Sequence, residues 1–223
     1  MDNNLHLPKP LVIGICGGSA SGKTNFCRKL IEGLQPYDCT IIPFDSFYKP
    51  IPENTDFSQY NFDSPDALDF DLAVDILKKL INHEEAEIPD WDFKIHGRSS
   101  NWIKVKPTDI VFFEGILAFN DKRIMDLLDL KIFVELDDDV RLARRIKRDV
   151  KERGRDIEGV IYQYLKFVKP AFEDYIKPKA KLADFTVRGD TWDKVAIQFV
   201  LDNLKNEAQK RDGLRKSASD KNE

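Results

Sequence analysis

The most informative segment of this 223-residue chain is Gly17-Gly18-Ser19-Ala20-Ser21-Gly22-Lys23-Thr24. It matches G-x-x-x-x-G-K-[ST], and it lies between an apolar run at residues 11–16 and a helical segment from about residue 22 to residue 34. The glycines allow backbone N–H groups to face phosphate oxygens, and the helix N-terminus adds a partial positive charge. We therefore predict a nucleotide-phosphate site in which Lys23 contacts the β- and γ-phosphates and Thr24 holds Mg²⁺.

Short apolar runs alternate with amphipathic segments along the rest of the chain, which is typical of β-α-β units and of an α/β fold with a mostly parallel central sheet. We predict sheet strands at residues 11–16, 40–43, 109–113, 130–134 and 185–187. The runs at 109–113 and 130–134 are continuously apolar, so these strands should be central. The strand at 40–43 should end early because Pro43 cannot donate to a ladder.

Two further segments are predicted to be helical. Ser64-Pro65-Asp66 supplies a helix-cap residue, a proline for the first helical position and an acid for the first turn. An apolar residue then recurs every four positions, at Leu68, Leu72, Ile76 and Leu80, which predicts a helix from Ser64 to about residue 82. A closing helix is expected at residues 195–204. The polar tail from about residue 206 offers no apolar surface to bury, so we expect it to be disordered.

A basic helix should begin at residues 137–139, whose acids suit the positive end of the helix dipole. Its apolar side is marked by Val140, Ala143, Ile146 and Val150, and arginines recur on another face at positions 141, 145 and 148. These arginines could form a solvated face paired with Asp149, Glu152 and Asp156. Alternatively, they form with Arg153-Gly154-Arg155 a lid that closes over phosphates and excludes water.

Composition restricts the classes of protein. The hydrophobic share of 42% and the charged share of 33% are those of a soluble globular protein, and a net charge of −4 argues against nucleic acid as the main partner. Cys16, Cys27 and Cys39 form no C-x-x-C pair and are interpreted as reduced core residues. The three histidines lack the spacing of a zinc site, so any metal should be a hard, oxygen-bound ion.

The domain organisation is expected to be simple. We divide the chain into an N-terminal extension at residues 1–10, a single domain at 11–205 and the polar tail at 206–223. No apolar run is long enough to cross a bilayer, and residues 1–10 lack the charged and apolar regions of a signal peptide. A cytoplasmic location is therefore expected.

Two acids directly follow predicted strands, where the ligand crevice of an open α/β sheet lies. Glu114 is expected to be a direct ligand of Mg²⁺ or a hydrogen-bond partner of its ligands. Asp45 can orient an acceptor hydroxyl and accept its proton late, because phosphoryl transfer has a loose transition state. The alternative is that Asp45 caps a turn with Ser46, but its position at a strand end favours the catalytic role.

Four further motifs occur in register around the phosphate loop. They are Phe44-Asp45-Ser46-Phe47-Tyr48, Asn61-Phe62-Asp63-Ser64-Pro65-Asp66-Ala67, Phe113-Glu114-Gly115-Ile116-Leu117 and Glu152-Arg153-Gly154-Arg155-Asp156. In this order and spacing, the chain resembles the uridine-cytidine kinases from about residue 11 to residue 201. The resemblance implies a P-loop kinase fold in three layers, with a small β-hairpin for base recognition and a helical lid.

The resemblance also implies an activity. The donor would be ATP or GTP with Mg²⁺, the acceptor uridine or cytidine, and the product the 5′-monophosphate, in pyrimidine salvage. A homotetramer is the implied assembly. Asp45 matches the catalytic aspartate of the family, and the implied metal set is Thr24, Asp45 and Glu114.

Donor and acceptor residues follow from the same matches. The implied donor site consists of Gly17, Gly18, Ser19, Ala20, Ser21, Gly22, Lys23, Thr24, Asn25, Arg148, Arg188 and Asp190. The implied acceptor site consists of Asp63, Arg155 and Gln163 at the ribose, Trp91, Phe93 and His96 at the base, and Arg145. A vicinal diol is well held by a carboxylate beside arginine and amide donors, and histidine can meet a pyrimidine edge as donor or acceptor.

Two positions depart from the family pattern. Trp91 stands where the family carries tyrosine, and its indole N–H can donate a hydrogen bond but cannot accept one. This favours uracil, whose carbonyl needs a donor, over the exocyclic amine of cytosine. Residues 186–190 lack the proline that precedes Arg-Gly in the family, and we assign Arg188 and Asp190 to the nucleobase side of ATP.

Other interpretations remain open. Residues 156–159 match the D-x-x-G switch of GTPases, but they follow a helix rather than a strand, and no N-K-x-D motif occurs downstream. A binding module without catalysis is disfavoured because the acids and the phosphate loop are all present. A phosphorylated-sugar kinase similar to phosphoribulokinase would need more basic residues, whereas Asp63 suits a neutral diol. Asp63 could also belong to the Ser64 cap, and His96 could be a loop bystander.

Overall fold

The computed structural model describes residues 8–189 and 194–219. Its strands are β1 Leu11–Cys16, β2 Cys39–Pro43, β3 Ala86–Asp92, β4 Gly97–Val105, β5 Ile110–Gly115, β6 Leu130–Glu135 and β7 Phe185–Arg188. Its α-helices are α1 Lys23–Gly33, α2 Phe70–Ile81, α3 Lys122–Met125, α4 Asp138–Arg153, α5 Ile157–Gln163, α6 Lys169–Ala171 and α7 Lys194–Ser219. Two π-helical turns, Tyr164–Val168 and Phe172–Ile176, continue the chain on either side of α6.

The main sheet has the strand order β2-β5-β1-β6-β7, and all of its pairings are parallel. This confirms the predicted parallel α/β fold and the central position of β5 and β6. Every residue of β1 and β5 is buried, as their continuous apolar sequences require. The strand β2 lies at the edge, where Pro43 is tolerated because no further ladder needs its missing N–H group.

Each face of the sheet buries its own apolar layer, because alternate residues of a strand point to opposite faces. On one face, Val12, Val111 and Phe113 pack with α2 and with the β3–β4 hairpin. On the other face, Ile13, Ile15 and Phe112 pack with α1 and α7. The fold is therefore three-layered, and the carboxyl ends of β1, β2 and β5 meet at one edge of the sheet.

The segment predicted as one helix from Ser64 to about residue 82 is divided in the structure. Ser64 caps a short 3₁₀ turn, Pro65–Ala67, and α2 begins only at Phe70, with the Asp69 side chain accepting a hydrogen bond from Leu72 N at 3.0 Å. Between them Leu68 is extended and forms an antiparallel bridge with Tyr48. That long-range bridge interrupts the local helical pattern.

The predicted polarity of α4 is wrong. Ala143 and Val150 on its apolar side are exposed, whereas Arg141, Arg145 and Asp149 are buried. The Nε atom of Arg141 donates to Leu136 O at 3.1 Å, and its guanidinium carbon lies 3.8 Å from the centroid of the Phe172 ring. Hydrogen bonds and an aromatic contact thus allow the helix to bury its arginines instead of its aliphatic residues.

The closing helix is longer than predicted. Disorder was expected from about residue 206, but α7 continues to Ser219. Ala208 is buried with the core of the α1 face, and Arg211 both pairs with Asp129 at 3.0 Å and donates to Lys9 O at 2.8 Å. These contacts tie the helix to the body of the protein. In the described part of the chain, no helix has the length and apolarity that crossing a membrane requires.

The cysteines are free thiols, as expected for reduced residues. Cys16 and Cys27 are buried, and burial raises the pKa of the Cys16 thiol to about 11. Cys39 is only half-buried, at the start of the edge strand β2.

Candidate active site

A cleft of about 1200 Å³ opens at the carboxyl ends of the central strands. The predicted site residues that line it are Ser19, Ala20, Gly22, Lys23, Thr24, Asn25, Asp45, Asp63, Trp91, Phe93, His96, Glu114, Arg145, Arg148, Arg155 and Gln163. Residues from the phosphate loop, from three strand ends, from the hairpin and from α4 thus converge on one space. This is the place where an open α/β sheet binds ligands.

The phosphate loop connects β1 to α1 and has the backbone that its glycines allow. Gly22, which caps α1, has φ = 102°, a left-handed conformation that glycine adopts at little cost. The Lys23 ammonium donates to Gly17 O at 3.0 Å and to Gly18 O at 3.1 Å. Lysine has three N–H donors, so one remains to meet a phosphate oxygen.

The hydroxyl of Thr24 donates to Glu114 Oε1 at 2.7 Å, which joins the start of α1 to the end of β5. Burial raises the pKa of Glu114; the nearby ammonium of Lys23 lowers it, and the carboxylate of Asp45 raises it further. Asp45 and Glu114 both line the cleft beside the phosphate loop. A hydroxyl and two carboxylates are hard oxygen donors, which fit Mg²⁺.

Asp63 is a second buried carboxylate in the cleft, only 5% exposed. Burial raises its pKa, Arg145 opposes that effect, and Asp45 adds to it. The side chain of Asn61 accepts from Asp63 N at 3.0 Å, and the Ser64 hydroxyl, not Asp63, caps the following turn. The Asp63 carboxylate is therefore available to the cleft, and the helix-cap interpretation is wrong.

Aromatic rings form the wall of the cleft next to Asp63. Tyr48 packs on Trp91 with ring centroids 4.9 Å apart and meets Phe62 edge to face at 5.9 Å. Phe62 also lies 5.3 Å from the ring of His96. Sequence analysis gave no role to Tyr48 or Phe62, although both occur in the motifs that flank Asp45 and Asp63.

His96 is not an exposed bystander. It stacks on Phe57 with centroids 4.8 Å apart at 23°, and it lines the cleft with φ = 52° in the hairpin turn. Burial lowers its pKa, and the positive charges of Arg155 and Arg153 lower it further. A neutral imidazole carries one donor and one acceptor, so His96 can meet either edge of a pyrimidine.

The arginines of α4 and of the following turn converge on the same space. Arg145 is 7% exposed and donates to Ser19 Oγ of the phosphate loop at 2.8 Å. The guanidinium carbon of Arg153 lies 3.6 Å from the centroid of the Phe93 ring. The stripe is therefore not a solvated face, although the pairing with Asp149 that this interpretation included is present. The positive charges face the phosphate loop and the hairpin, where phosphate oxygens would be met.

Three predicted residues differ in their surroundings. The amide of Gln163 lines the cleft but donates to Phe57 O at 2.9 Å and to Ser58 O at 3.0 Å. Arg188 does not line the cleft, and its guanidinium lies 3.9 Å from a carboxylate oxygen of Asp137. Asp190 lies outside the described residues.

The arrangement has two chemically distinct halves. The phosphate loop and the arginines supply donors for a polyphosphate, and Asp63 with the aromatic wall supplies a carboxylate and flat apolar surfaces for a neutral, ring-containing molecule. Asp45 lies in the 3₁₀ turn that follows β2 and lines the same cleft. The site can therefore bring a phosphoryl donor and a hydroxyl acceptor together beside a carboxylate.

A model of the family described as "Phosphoribulokinase / Uridine kinase family" matches residues 12–196. Uridine-cytidine kinase B of Dictyostelium discoideum is 41% identical over 218 residues, which cover 97% of this chain and 90% of that protein. Uridine-cytidine kinase-like 1 of Mus musculus is 46% identical over 204 residues, or 90% of this chain and 37% of that protein. Uridine-cytidine kinase A of D. discoideum is 45% identical over 210 residues, which cover 94% of this chain and 42% of that protein. The chain thus spans less than half the length of the last two relatives.

Solved structures share the fold at low identity. Phosphoribulokinase from Rhodobacter spheroides gives a TM-score of 0.59 at 16% identity, covering 81% of this chain and 70% of that chain. D-glycerate 3-kinase from Cryptococcus neoformans gives a TM-score of 0.59 at 20% identity, covering 81% and 87%. At such identities the likeness shows the fold alone.

Proposed function

Because this chain belongs to the phosphoribulokinase and uridine kinase family, we propose that it transfers the γ-phosphoryl group of ATP or GTP to the 5′-hydroxyl of uridine or cytidine. The relatives named uridine-cytidine kinases support this acceptor class. The observation that carries the proposal is the acceptor half of the cleft, where the buried Asp63 carboxylate lies beside the rings of Tyr48, Phe62 and Trp91. A carboxylate suits a neutral diol and would repel a sugar phosphate.

Asp45 is proposed to orient the 5′-hydroxyl and to accept its proton. A carboxylate is a weak base for an alcohol, but the loose transition state of phosphoryl transfer requires little proton removal before the new O–P bond forms. The oxygen of the acceptor then carries the phosphoryl group, and ADP or GDP leaves with the electron pair of the broken bond. The position of Asp45 in the lining of the cleft, in the turn after β2, supports this role.

Mg²⁺ is the proposed metal. Thr24, Asp45 and Glu114 would hold it directly or through water, since their hydroxyl and carboxylate oxygens are the donors that this ion prefers. When bound, the ion neutralises charge on the β- and γ-phosphate oxygens. The hydrogen bond from Thr24 to Glu114 already aligns two of these groups.

The remaining residues bind the reactants and exclude water. Lys23 and the arginines of α4 would neutralise the phosphate oxygens, while Asp63, Arg155 and Gln163 would hold the ribose. His96 and Trp91 would meet the base, and the indole N–H of Trp91 leads us to propose that uridine is preferred to cytidine. Closing the basic segment over the donor would limit hydrolysis of ATP.

The cellular location, the pathway and the assembly of the protein are also proposed from its membership of the family. We propose that the enzyme acts in the cytoplasm in pyrimidine salvage and assembles as a homotetramer. Trp102 is 49% exposed and Ile103 47% exposed on β4, which supports an interface on the hairpin. Light scattering coupled to size-exclusion chromatography tests the assembly, and a monomer at micromolar concentration would contradict it.

Activity is tested by incubating the protein with Mg²⁺-ATP and one acceptor at a time while ADP release is followed. The acceptors are uridine, cytidine, adenosine, guanosine, thymidine and ribulose 5-phosphate. We expect turnover on uridine and cytidine only, and loss of at least about a thousandfold in kcat for Asp45→Asn, as for removal of other groups that act at the reacting atoms. Turnover on ribulose 5-phosphate alone would instead favour a phosphorylated-sugar kinase.

A further inference from the structure

Four arginines surround one buried carboxylate at the wall of the cleft. The side chain of Asp149 is fully buried (0% exposed), and its Oδ1 atom lies 2.8 Å from Arg148 Nε and 3.4 Å from Arg153 Nη1. Its Oδ2 atom lies 3.5 Å from Arg145 Nε and 3.5 Å from Arg155 Nη1. Asp149 is therefore the common ion-pair partner of four arginines that line the cleft.

Backbone geometry brings the four arginines to this one point. Arg145, Arg148 and Asp149 lie on the inward face of α4, and the helix ends at Gly154 with φ = 67°. This left-handed turn reverses the chain, and Arg155 N then donates to Asp149 O at 3.1 Å. A residue with a Cβ atom would strain that turn, so the glycine is what lets Arg155 reach the same carboxylate.

The cluster carries an excess of positive charge. Burial lowers the pKa of Arg153 to about 10, and the neighbouring charge of Arg148 contributes to that shift. Burial also lowers the pKa of Arg155, while Asp149 opposes the shift. One carboxylate balances only part of four guanidinium charges, so the group attracts further anions such as donor phosphates.

Two of the four arginines also have a second contact that joins the cluster to another part of the site. Arg145 donates a hydrogen bond to Ser19 of the phosphate loop, and Arg153 packs on Phe93 of the β3–β4 hairpin. Arg145 and Arg155 both lower the pKa of Asp63. Among the described residues, Arg148 Nη2 and Arg155 Nε make no hydrogen bond although both atoms are buried. Arg145 Nε and Asp149 Oδ2 are likewise buried without a hydrogen bond. Asp149 therefore holds the array through one hydrogen bond, from Arg148, and through ion pairs with the other three arginines, and the array retains unused donors.

We propose that Asp149 is a positioning residue that holds the four arginines in place before either substrate binds. The inference rests on the proposed function, because it assigns the arginines to the two substrates of that reaction. Without the carboxylate, four mutually repelling guanidinium groups would separate, and the first substrate to bind would have to gather them. The second substrate would then find them assembled, so the two ligands would bind far more cooperatively than in the natural protein.

The test compares Asp149→Asn with the natural protein by isothermal titration calorimetry. The probes are uridine and a non-hydrolysable ATP analogue with Mg²⁺, each titrated with and without a saturating amount of the other. We expect weaker binding of the analogue alone in Asp149→Asn. We also expect the analogue to improve uridine affinity by about tenfold more in the variant than in the natural protein, within the usual range of coupling between sites.

Two further variants separate positioning from a general structural effect. Asp139→Asn makes the same chemical change on an exposed position of α4, and it should bind both ligands as the natural protein does. Asp149→Glu retains the charge and should recover most of the affinity for the analogue that Asn loses. If Asp149→Asn does not fold, Asp149→Glu serves as the test variant. The analogue should then improve uridine affinity more than it does in the natural protein, but by less than the additional factor of about tenfold expected for Asp149→Asn.

An unchanged affinity for the analogue together with unchanged cooperativity in Asp149→Asn would overturn the proposal. A second result would also overturn it: lower thermal stability together with equal losses of affinity for uridine and for the analogue, while the coupling between the two ligands is unchanged. That pattern is expected of a purely structural residue. Failure of the proposed function is recognised separately. If the natural protein phosphorylates none of the acceptors, the analogue titrations still report whether Asp149 organises the arginines at the donor site.

Discussion

The hydroxyl of Thr24 donates a hydrogen bond of 2.7 Å to Glu114 Oε1, and so joins the phosphate loop to the end of the neighbouring strand. Both groups belong to the proposed Mg²⁺ site. Replacement of Glu114 by Gln would keep the size of the side chain but remove its negative charge. We expect the Mg²⁺ concentration for half-maximal rate to rise by about tenfold to a hundredfold, as when a group that supports metal ligands is removed.

The matched control for that variant is Glu135→Gln. Glu135 ends β6 as Glu114 nearly ends β5, but it is exposed and does not line the cleft. Its Mg²⁺ dependence should be that of the natural protein. A Glu114→Gln variant with an unaltered Mg²⁺ requirement would remove Glu114 from the metal site.

Asp63 is predicted to recognise the ribose diol. In Asp63→Asn the acceptor loses a charge-assisted hydrogen bond of about 1.5–3 kcal/mol, so kcat/KM for uridine should fall by about tenfold to a hundredfold. The effect on 2′-deoxyuridine should be clearly smaller, because that substrate lacks one of the two hydroxyl groups. Steady-state kinetics with both nucleosides measures the difference, and the exposed Asp66→Asn is the control. Equal losses of kcat/KM on both substrates would show that the Asp63 carboxylate does not bind the 2′-hydroxyl of the ribose.

His96 should titrate below its ordinary pKa of 6.5, because burial and two nearby arginines disfavour the imidazolium form. It is therefore neutral at neutral pH and gains a proton only as the pH falls below that value. KM for uridine should stay level above about pH 6.5 and rise on acidification, and the rise should be absent in His96→Gln. An NMR titration of the imidazole resonances reports the pKa directly, and a midpoint above 6.5 would contradict the assignment.

The C-terminal helix should contribute to stability beyond residue 206. Ala208→Asp would place a carboxylate in the apolar layer beneath α7, and the free energy of unfolding should fall by about 2 kcal/mol or more. The adjacent Gln209→Asp makes a similar change on an exposed position and should have little effect. Urea denaturation measures both. Equal stability of the two variants would support the disorder that the sequence suggested.

Local signals explain what could be predicted from the sequence. The phosphate loop needs glycines at fixed positions, and β1 and β5 are buried on both faces, so their sequences indicate their places directly. Pro43 likewise ends β2, as predicted. In these cases the responsible interactions lie within a few residues of one another, where sequence patterns are informative.

The features that could not be predicted depend on long-range contacts. The bridge from Leu68 to Tyr48 delays the start of α2 until Phe70, and no pattern within residues 64–82 contains it. The polarity of α4 was predicted incorrectly because aliphatic residues were assumed to face inward. The sequence suggested Asp149 as a partner of these arginines, but only the three-dimensional arrangement shows that this carboxylate is buried and serves four of them.

The C-terminal residues illustrate the same limit. Residues 206–213 are mostly polar, and the lack of apolar surface to bury predicted disorder. Ala208 nevertheless reaches the core, and Arg211 finds Asp129 more than eighty positions away in sequence. A single small apolar residue and one ion pair are weak signals in a polar segment, but in the fold they extend the helix.

In the proposed reaction a phosphoryl group passes from ATP to the 5′-oxygen of a pyrimidine ribonucleoside. The most direct test uses ATP with ¹⁸O in its γ-phosphoryl oxygens and uridine as acceptor, followed by ³¹P NMR and mass spectrometry of the products. We predict uridine 5′-monophosphate that carries the label, and none of it with Asp45→Asn. Labelled inorganic phosphate without a labelled nucleotide, or a labelled phosphoryl group attached to the 2′- or 3′-oxygen, would contradict this reaction.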